Sequence, residues 1–192
     1  MTVEHEFILG GQKSGKSRRA EQRAIDWLAA APGTHRAVLI ATAQAYDDEM
    51  QERIVRHQAD RAERVPGMRT IEEPVELARA VVTQSAPDTL VVIDCLTLWL
   101  TNLLMPLRSE VARPVTRTPS AHATMLLIAL REARGPVVLV GNEIGLGVIP
   151  LGRETRAFVD ALGRLNQDVA AACGRVTLMA AGLPLSLKAP AR

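Results

Sequence analysis

Three glycines, two lysines and two serines stand at a spacing that suits one task, the gripping of phosphate: Gly10-Gly11-Gln12-Lys13-Ser14-Gly15-Lys16-Ser17. Glycines let successive backbone N–H groups converge on phosphate oxygens, and a helix beginning at the lysine adds its positive end. Lys16 would carry a point charge to the β- and γ-phosphates, and the Ser17 hydroxyl would reach Mg²⁺. The order is of the Walker A type, which needs a strand before it and a helix after it; Phe7-Ile8-Leu9 and the stretch from Lys16 onward supply both. All eight residues from Gly10 to Ser17 are therefore expected nucleotide contacts.

A second candidate is the apolar run Leu90-Val91-Val92-Ile93-Asp94, which ends in a carboxylate. Such a strand end suits a Walker B acid facing Mg²⁺, and equally suits a cap on the next helix. The presence of the phosphate loop favours the metal role, with Ser17 and Asp94 as the metal-facing pair. These parts grip phosphate and metal and ignore the base, so they do not say which nucleotide is used. No Asn-Lys-x-Asp guanine motif is present, which disfavours a switch GTPase but leaves GTP open as a substrate.

His57 is the third. It follows Asp47-Asp48-Glu49-Met50 and lies within Arg53-Ile54-Val55-Arg56-His57, on a polar helix leaving the second strand. In a parallel sheet that strand's carboxyl end faces the phosphate loop, so the imidazole could act on an α-phosphate as general base or as nucleophile. Spacing alone also fits a solvated helical histidine. His5, His35 and His122 read as structural or solvated.

The elements that must position these groups alternate. Buried strands are expected at Glu6–Gly10, Ala37–Thr42, Leu90–Asp94, Val137–Gly141 and Val176–Ala180. Helices are expected at Lys16–Ala31, Asp47–Arg64, Pro74–Gln84, Leu96–Met105, Ala121–Arg134 and Arg153–Cys173, the last capped by Gly174. Apolar strands separated by amphipathic helices imply an α/β fold with a mostly parallel sheet covered on both faces. Val176–Ala180, Gly182 and Leu185–Lys188 read as a hairpin that adds an antiparallel edge. Pro106–Ser120 lacks either hydrophobic period and reads as a surface loop.

The chain's 192 residues suit one domain, and 23 Lys and Arg against 21 Asp and Glu give no basic excess that would call for a nucleic-acid partner. Cys95 and Cys173 stand far apart in apolar stretches, with no metal-ligand spacing, and read as buried thiols. No apolar run is long enough to span a membrane and no leader pattern is seen, so a cytoplasmic protein is expected.

Taken in order, Gly10 through Arg18, Ile40-Ala41-Thr42, Asp47-Asp48-Glu49-Met50, Arg53-Ile54 with His57, Thr70-x-Glu72-x-Pro74, Asp94-Cys95-Leu96-Thr97, Asn102-Leu103-Leu104, Asn142-Glu143-Ile144-Gly145-Leu146-Gly147 and Gly163-Arg164-Leu165-Asn166-Gln167 cover nearly the whole chain. Together they resemble the bifunctional adenosylcobinamide kinase / adenosylcobinamide-phosphate guanylyltransferase family of cobalamin biosynthesis. The resemblance implies a RecA-like P-loop sheet of about seven strands in a single domain over residues 1–192. It implies phosphorylation of adenosylcobinamide with ATP or GTP, then transfer of GMP from GTP through a guanylylated histidine, which here matches His57. Lys16 joins His57 as catalytic, Thr42, Arg53, Glu72 and Asp94 join the nucleotide contacts, and Mg²⁺ is the metal. The implied partners are a corrinoid substrate and further copies of the chain in a homo-oligomer, a trimer.

The resemblance leaves the loop after Asn142-Glu143 as either a ligand contact or a turn needing unusual backbone angles at Gly145 and Gly147, and gives Arg153, Arg164 and Asn166 no derived role. Three departures follow His57: Thr70-x-Glu72-x-Pro74 stands about three residues further on than in the family, Ala62 replaces a proline and Met68 a tryptophan. They put the placement of Asp60–Arg69 and its substrate contacts in question. Without the resemblance, a kinase with a single reaction and, from another class, a nucleotide-dependent binding module also fit the phosphate loop.

Overall fold

The computed structural model describes residues 4–45, 48–106 and 117–189; the side chain of Arg53 lies outside what is described. Seven strands form one sheet in the order β3-β2-β4-β5-β1-β6-β7. They are β1 (Glu6–Gly10), β2 (Arg36–Ala41), β3 (Met68–Glu72), β4 (Thr89–Asp94), β5 (Val137–Asn142), β6 (Arg175–Ala180) and β7 (Leu183–Lys188). All neighbouring pairs are parallel except β6 and β7.

Alternation along each strand splits the core into two layers. Phe7 and Leu9 of β1, Ile93 of β4 and Leu139 of β5 face helices α3 (Leu77–Gln84), α4 (Leu96–Leu104), α5 (Pro119–Glu132) and α6 (Arg153–Ala172), which contribute Leu77, Trp99, Leu126 and Leu162. Ile8, Leu39, Val92 and Val138 face the other side, where α1 (Lys16–Ala30) buries Ala20 and Ala24. The continuous apolar runs of the central strands follow from this double coverage.

Helix α2 (Asp48–Arg64) is different. Within it only Arg61 is buried among the side chains described, and Val65 just beyond its end is the apolar anchor. Its own stability draws on Asp48 and Glu49 in the first turn and Arg61 and Arg64 in the last, both favourable to the helix dipole.

Several boundaries differ from the sequence expectations. β3 carries exposed Arg69, Thr70 and Glu72 at the sheet edge, so it has none of the apolar run that marks a central strand. Helix α3 begins at Leu77 rather than Pro74, because the Glu73 carboxylate accepts from the N–H groups of Val75 and Glu76 and holds that stretch as a turn. Helix α5 begins earlier, at Pro119, where the Thr118 hydroxyl accepts from Ala121 N–H at 3.2 Å. Helix α6 ends at Ala172 with Cys173 as its cap, and Gly174 stays out of the left-handed region expected of a capping glycine. The first residue expected in α2, Asp47, and most of the expected Pro106–Ser120 loop, residues 107–116, lie outside the described residues.

The antiparallel edge is present, turned by Ala181 and Gly182, both with positive φ (50° and 80°). Two such residues suit the tight turn of a two-residue hairpin.

Candidate active site

The phosphate loop leaves β1 at Gly10 and enters α1 at Lys16. Gly10 is required by space: a Cβ there would stand 2.4 Å from Met179 O and 2.5 Å from Ser14 Oγ. Lys13 and Gly15 both take positive φ, 54° and 100°, which bends the loop around its own centre. The Lys16 ammonium donates to Gly11 O at 2.5 Å and lies 3.5 Å from Ser14 Oγ, spanning the loop. Burial pushes the Lys16 ammonium below the ordinary lysine value, opposed in part by the negative charge of Asp94.

The hairpin turn braces the loop from outside. Gly182 N–H donates to Ser14 O at 3.0 Å, and the Gly182 Cα sits 3.3 Å from where a Cβ on Gly15 would be. Nothing in the sequence signalled this contact, because the two segments lie at opposite ends of the chain.

Asp94 ends β4, half-buried at the carboxyl end of the sheet. Its position is set by Thr42, which is fully buried at the end of β2. The Thr42 hydroxyl donates to Cys95 O at 2.7 Å and accepts from Cys95 N–H at 2.9 Å. Thr42 N–H donates to Asp94 O at 3.2 Å, and the Asn102 amide donates to Thr42 O at 2.8 Å. Thr42, expected as a nucleotide contact, thus has its hydroxyl committed to the backbone beside Asp94.

These groups open into one cavity of about 520 Å³. Gln12 through Ser17 form one wall; Asp94, Cys95 and Asn142 lie at the strand ends; Arg56, His57, Asp60, Arg61 and Arg64 of α2 form the facing wall, with Glu72 nearby. Arg18 also lines it, so among the described lining residues Lys13, Lys16, Arg18, Arg56, Arg61 and Arg64 stand against the carboxylates Asp60, Glu72 and Asp94, with Glu21 behind the wall pairing Arg64. An excess of cations beside a phosphate loop suits a polyphosphate. Gly10 and Gly11 shape the loop behind this wall, and Glu72 accepts from the Gln58 amide at 3.1 Å.

Sequence reasoning missed what holds α2 in place. Glu21, buried in α1, accepts from Arg64 Nε at 2.8 Å and from a terminal nitrogen of Arg64 at 3.0 Å, while Arg61 Nε stands 4.0 Å away. Arg61 and Arg64 fall within the segment whose placement the departures had put in question; here they face the cavity. The signal was present as two arginines at i and i+3, but their carboxylate partner lies 40 residues earlier in the chain and in another helix.

The remaining candidates have structural partners. His5 is buried, with Nε2 2.8 Å from Leu130 O and Nδ1 accepting from Val137 N–H at 3.2 Å. His35 stacks on Trp27, and His122 is buried edge-on to Trp99. Both cysteines are buried free thiols, pushed up to about 12 chiefly by burial. Asn166 donates to Asn142 O at 3.0 Å and Glu143 N–H donates to Gly10 O at 3.1 Å, which ties the end of β5 to the phosphate loop. Gly145 and Gly147 do not adopt positive φ, so the turn does not depend on them for that.

A parallel sheet with a phosphate loop after β1, an acid at the end of β4 and a cationic cavity between them defines a P-loop nucleotide-binding protein. A solved structure of similar fold is the flagellar accessory protein FlaH from Methanocaldococcus jannaschii, with a TM-score of 0.51 and 12% identity over 97% of this chain and 79% of that one. Residues 6–187 match the family model described as cobinamide kinase / cobinamide phosphate guanyltransferase. The chain is 45% identical to the bifunctional adenosylcobalamin biosynthesis protein CobP of Pseudomonas aeruginosa over 186 residues, covering 95% of this chain and 96% of that one. It is 33% identical to the protein CobU of Escherichia coli over 188 residues, covering 95% and 98%. The chain belongs to the cobinamide kinase / cobinamide phosphate guanyltransferase family, and it is a bifunctional enzyme of cobalamin biosynthesis. No helix among the described residues is long and apolar enough to cross a membrane.

Proposed function

We propose that one cavity serves both reactions, with His57 carrying GMP from GTP to adenosylcobinamide phosphate in the second. The observation behind this is that the phosphate loop, Asp94 and His57 line the same 520 Å³ space. In the kinase step the hydroxyl oxygen of adenosylcobinamide bonds to the γ-phosphorus of ATP or GTP. The bond to the β–γ bridging oxygen breaks, the nucleoside diphosphate leaves and the hydroxyl proton passes to water. Lys16 and the loop N–H groups stabilise the charge on the moving phosphoryl group by position.

In the transfer step a neutral His57 imidazole nitrogen bonds to the α-phosphorus of GTP, and the α–β bridging oxygen departs with pyrophosphate, held by the loop. An oxygen of adenosylcobinamide phosphate then bonds to that phosphorus and the N–P bond breaks, giving adenosyl-GDP-cobinamide and restoring the imidazole. The loop therefore holds the transferred group in one reaction and the leaving group in the other.

Ser17 and Asp94 both offer oxygen to the cavity, which is the donor type Mg²⁺ takes. Among the described residues no group of three or more His, Cys, Asp or Glu side chains could hold a metal without the nucleotide, so these two would act with phosphate oxygens and water. When bound, the ion would neutralise charge on the phosphates. Arg53 and Glu72 are further nucleotide contacts in this reading, and Thr42 contributes by fixing the strand end that carries Asp94.

Residues 1–192 act as one domain in this reading, supported by the single sheet running from Glu6 to Lys188. A homo-oligomer fits the apolar stretch beyond β5, where Leu146, Val148, Ile149 and Leu151 are all strongly exposed, and the family resemblance makes it a trimer. Light scattering coupled to size exclusion tests this. A cytoplasmic location would place the enzyme beside the cell's ATP and GTP.

The decisive test is incubation with GTP labelled at the α-phosphate. The protein should retain an acid-labile, base-stable label that His57→Ala abolishes, and label at full level in His57→Ala would refute the nucleophile. Formation of adenosylcobinamide phosphate with no GDP-linked product at ample GTP would reduce the activity to a kinase alone.

A further inference from the structure

The backbone of Asn142 is held from three directions. It ends β5 beside Gly10, its partner in the register with β1. Its N–H donates to Thr97 Oγ1 at 2.9 Å and its carbonyl accepts from the Asn166 amide at 3.0 Å, while the next N–H, that of Glu143, donates to Gly10 O at 3.1 Å. Thr97 of α4 and Asn166 of α6 are both buried, so two helices and the phosphate loop converge on this strand end. Asn166 keeps its bond although its own Oδ1 is buried without a partner among the described residues. The Asn142 side-chain amide, by contrast, lines the cavity and has no hydrogen-bond partner among the described residues. An open amide on a fixed backbone is preorganised for a ligand.

Alternation along the strands puts Asn142 on the same face of the sheet as Asp94. Val92 of β4 and Val138 and Val140 of β5 pack in the layer under α1, and Asp94 and Asn142 each stand two residues beyond the last of these on their own strand. Asp94 pairs with Val140, so Asn142 rises two residues above the level of the acid, between it and the first glycine of the loop. With Lys16 and Asp94 addressing the γ-phosphate and its metal ion, Asn142 is the neighbouring polar group at that end of a bound triphosphate. Helix α2, which carries His57, leaves from β2, two strand spacings or about 10 Å to the side.

Loop N–H groups and Lys16 supply donors for the phosphate oxygens. An attacking alcohol needs something else, an acceptor that aims its lone pair at phosphorus. A carboxylate at that place would repel the γ-phosphate, whereas an amide oxygen accepts without a charge and the amide NH₂ can donate to a γ-oxygen. The geometry points to Asn142 as the residue that holds the acceptor hydroxyl of adenosylcobinamide against the γ-phosphorus. Its Oδ1 accepts from the hydroxyl and its NH₂ donates to a γ-phosphoryl oxygen, which sets both reactants on one planar group. The hydroxyl oxygen bonds to the γ-phosphorus, the bond to the β–γ bridging oxygen breaks and the hydroxyl proton passes to water; Asn142 keeps its own protons. The inference rests on the phosphate loop serving the kinase step.

The test compares wild type with Asn142→Ala and Asn142→Asp in single-turnover phosphorylation of adenosylcobinamide by γ-labelled ATP. Losing one preorganised hydrogen-bonding group at a transition state costs about 10²–10³-fold in rate, so Asn142→Ala should slow corrinoid phosphorylation by roughly 10²-fold. Hydrolysis of ATP by water, which has no alcohol to hold, should fall less, so that more ATP is consumed per corrinoid phosphorylated. Labelling of His57 by α-labelled GTP should also fall far less. Asn142→Asp keeps the shape of the side chain and should be at least as slow as Asn142→Ala, because its charge opposes the γ-phosphate. Corrinoid phosphorylation by either variant at the wild-type rate would overturn the inference. So would an equal fall in phosphorylation, hydrolysis and His57 labelling with lowered melting temperatures, which would make Asn142 a support of the strand end alone. Lys16→Met phosphorylating at the wild-type rate would take the loop out of the kinase step, and this inference with it; a silent Lys16→Met beside an unaffected Asn142→Ala would overturn this inference alone.

Discussion

Replacing Glu21 by glutamine tests whether an ion pair, rather than an apolar core, brings His57 to the phosphate loop. The Glu21 side chain is 7% exposed and accepts two hydrogen bonds from Arg64 at 2.8 and 3.0 Å. Hydrogen bonds to charged groups are each worth about 1.5–3 kcal/mol. The Arg64 side chain is 36% exposed, so solvent screens its half of the pair and the sum must be discounted; about 2 kcal/mol for the pair is the reasonable figure. Among the described residues Val65 is the apolar anchor of α2 and the exposed Gln58–Glu72 hydrogen bond a weaker tie, so much of that loss should fall on its docking. A loss of about 2 kcal/mol is roughly a 30-fold fall in the docking equilibrium constant. Hydrogen exchange of α2 amides should quicken in Glu21→Gln while the amides of β1, β4 and β5 keep their protection. Labelling of His57 by α-labelled GTP should slow by up to the same factor, and the kinase rate should fall less, because Lys16 and Asp94 do not sit on α2. Unchanged α2 exchange together with wild-type labelling would refute the argument that Glu21 docks this helix.

Gly10→Ala should abolish nucleotide binding, measured by fluorescence of a nucleotide analogue, because its Cβ would meet Met179 O at 2.4 Å and force the loop away from β6. Thr42→Val keeps the shape but leaves the buried Cys95 N–H and C=O without the hydroxyl, at about 1–3 kcal/mol for such a group. For a domain of this size that predicts a melting temperature lower by about 2–12 °C in thermal unfolding followed by circular dichroism. Triphosphate binding should restore the Lys16 pKa that burial lowers, so in the alkaline range just below the ordinary lysine value of 10.5 binding takes up protons and affinity falls as pH rises. Calorimetry in buffers of different ionisation enthalpy reads that uptake directly, and Lys16→Met should remove it.

The phosphate loop was legible from sequence because every part of it is local. Glycines, lysine and serine lie within eight residues, and the strand and helix they need are adjacent in the chain. The central strands were legible too, since burial on two faces writes itself into continuous apolar runs, and each of the six expected helices is present. β3 was not, because an edge strand faces solvent and needs no such run. His57 was a candidate from its place on the helix leaving β2, but only the family motifs made it a nucleophile; its own helix is polar almost throughout, which by pattern alone also describes a solvated surface.

What sequence determined by itself is the chemistry on offer: a grip for phosphate, an acid at a strand end, a histidine among arginines. Tertiary structure decided which of these meet. Glu21 and Arg64 stand 43 residues apart in the chain and join α2 to α1, and Gly182 reaches back across the sheet to support Ser14. Thr42 and Cys95 link neighbouring strands 53 residues apart and so aim Asp94. No local period records such contacts. Each depends on the order in which the strands lie in the sheet, set by how the whole chain buries its apolar surface.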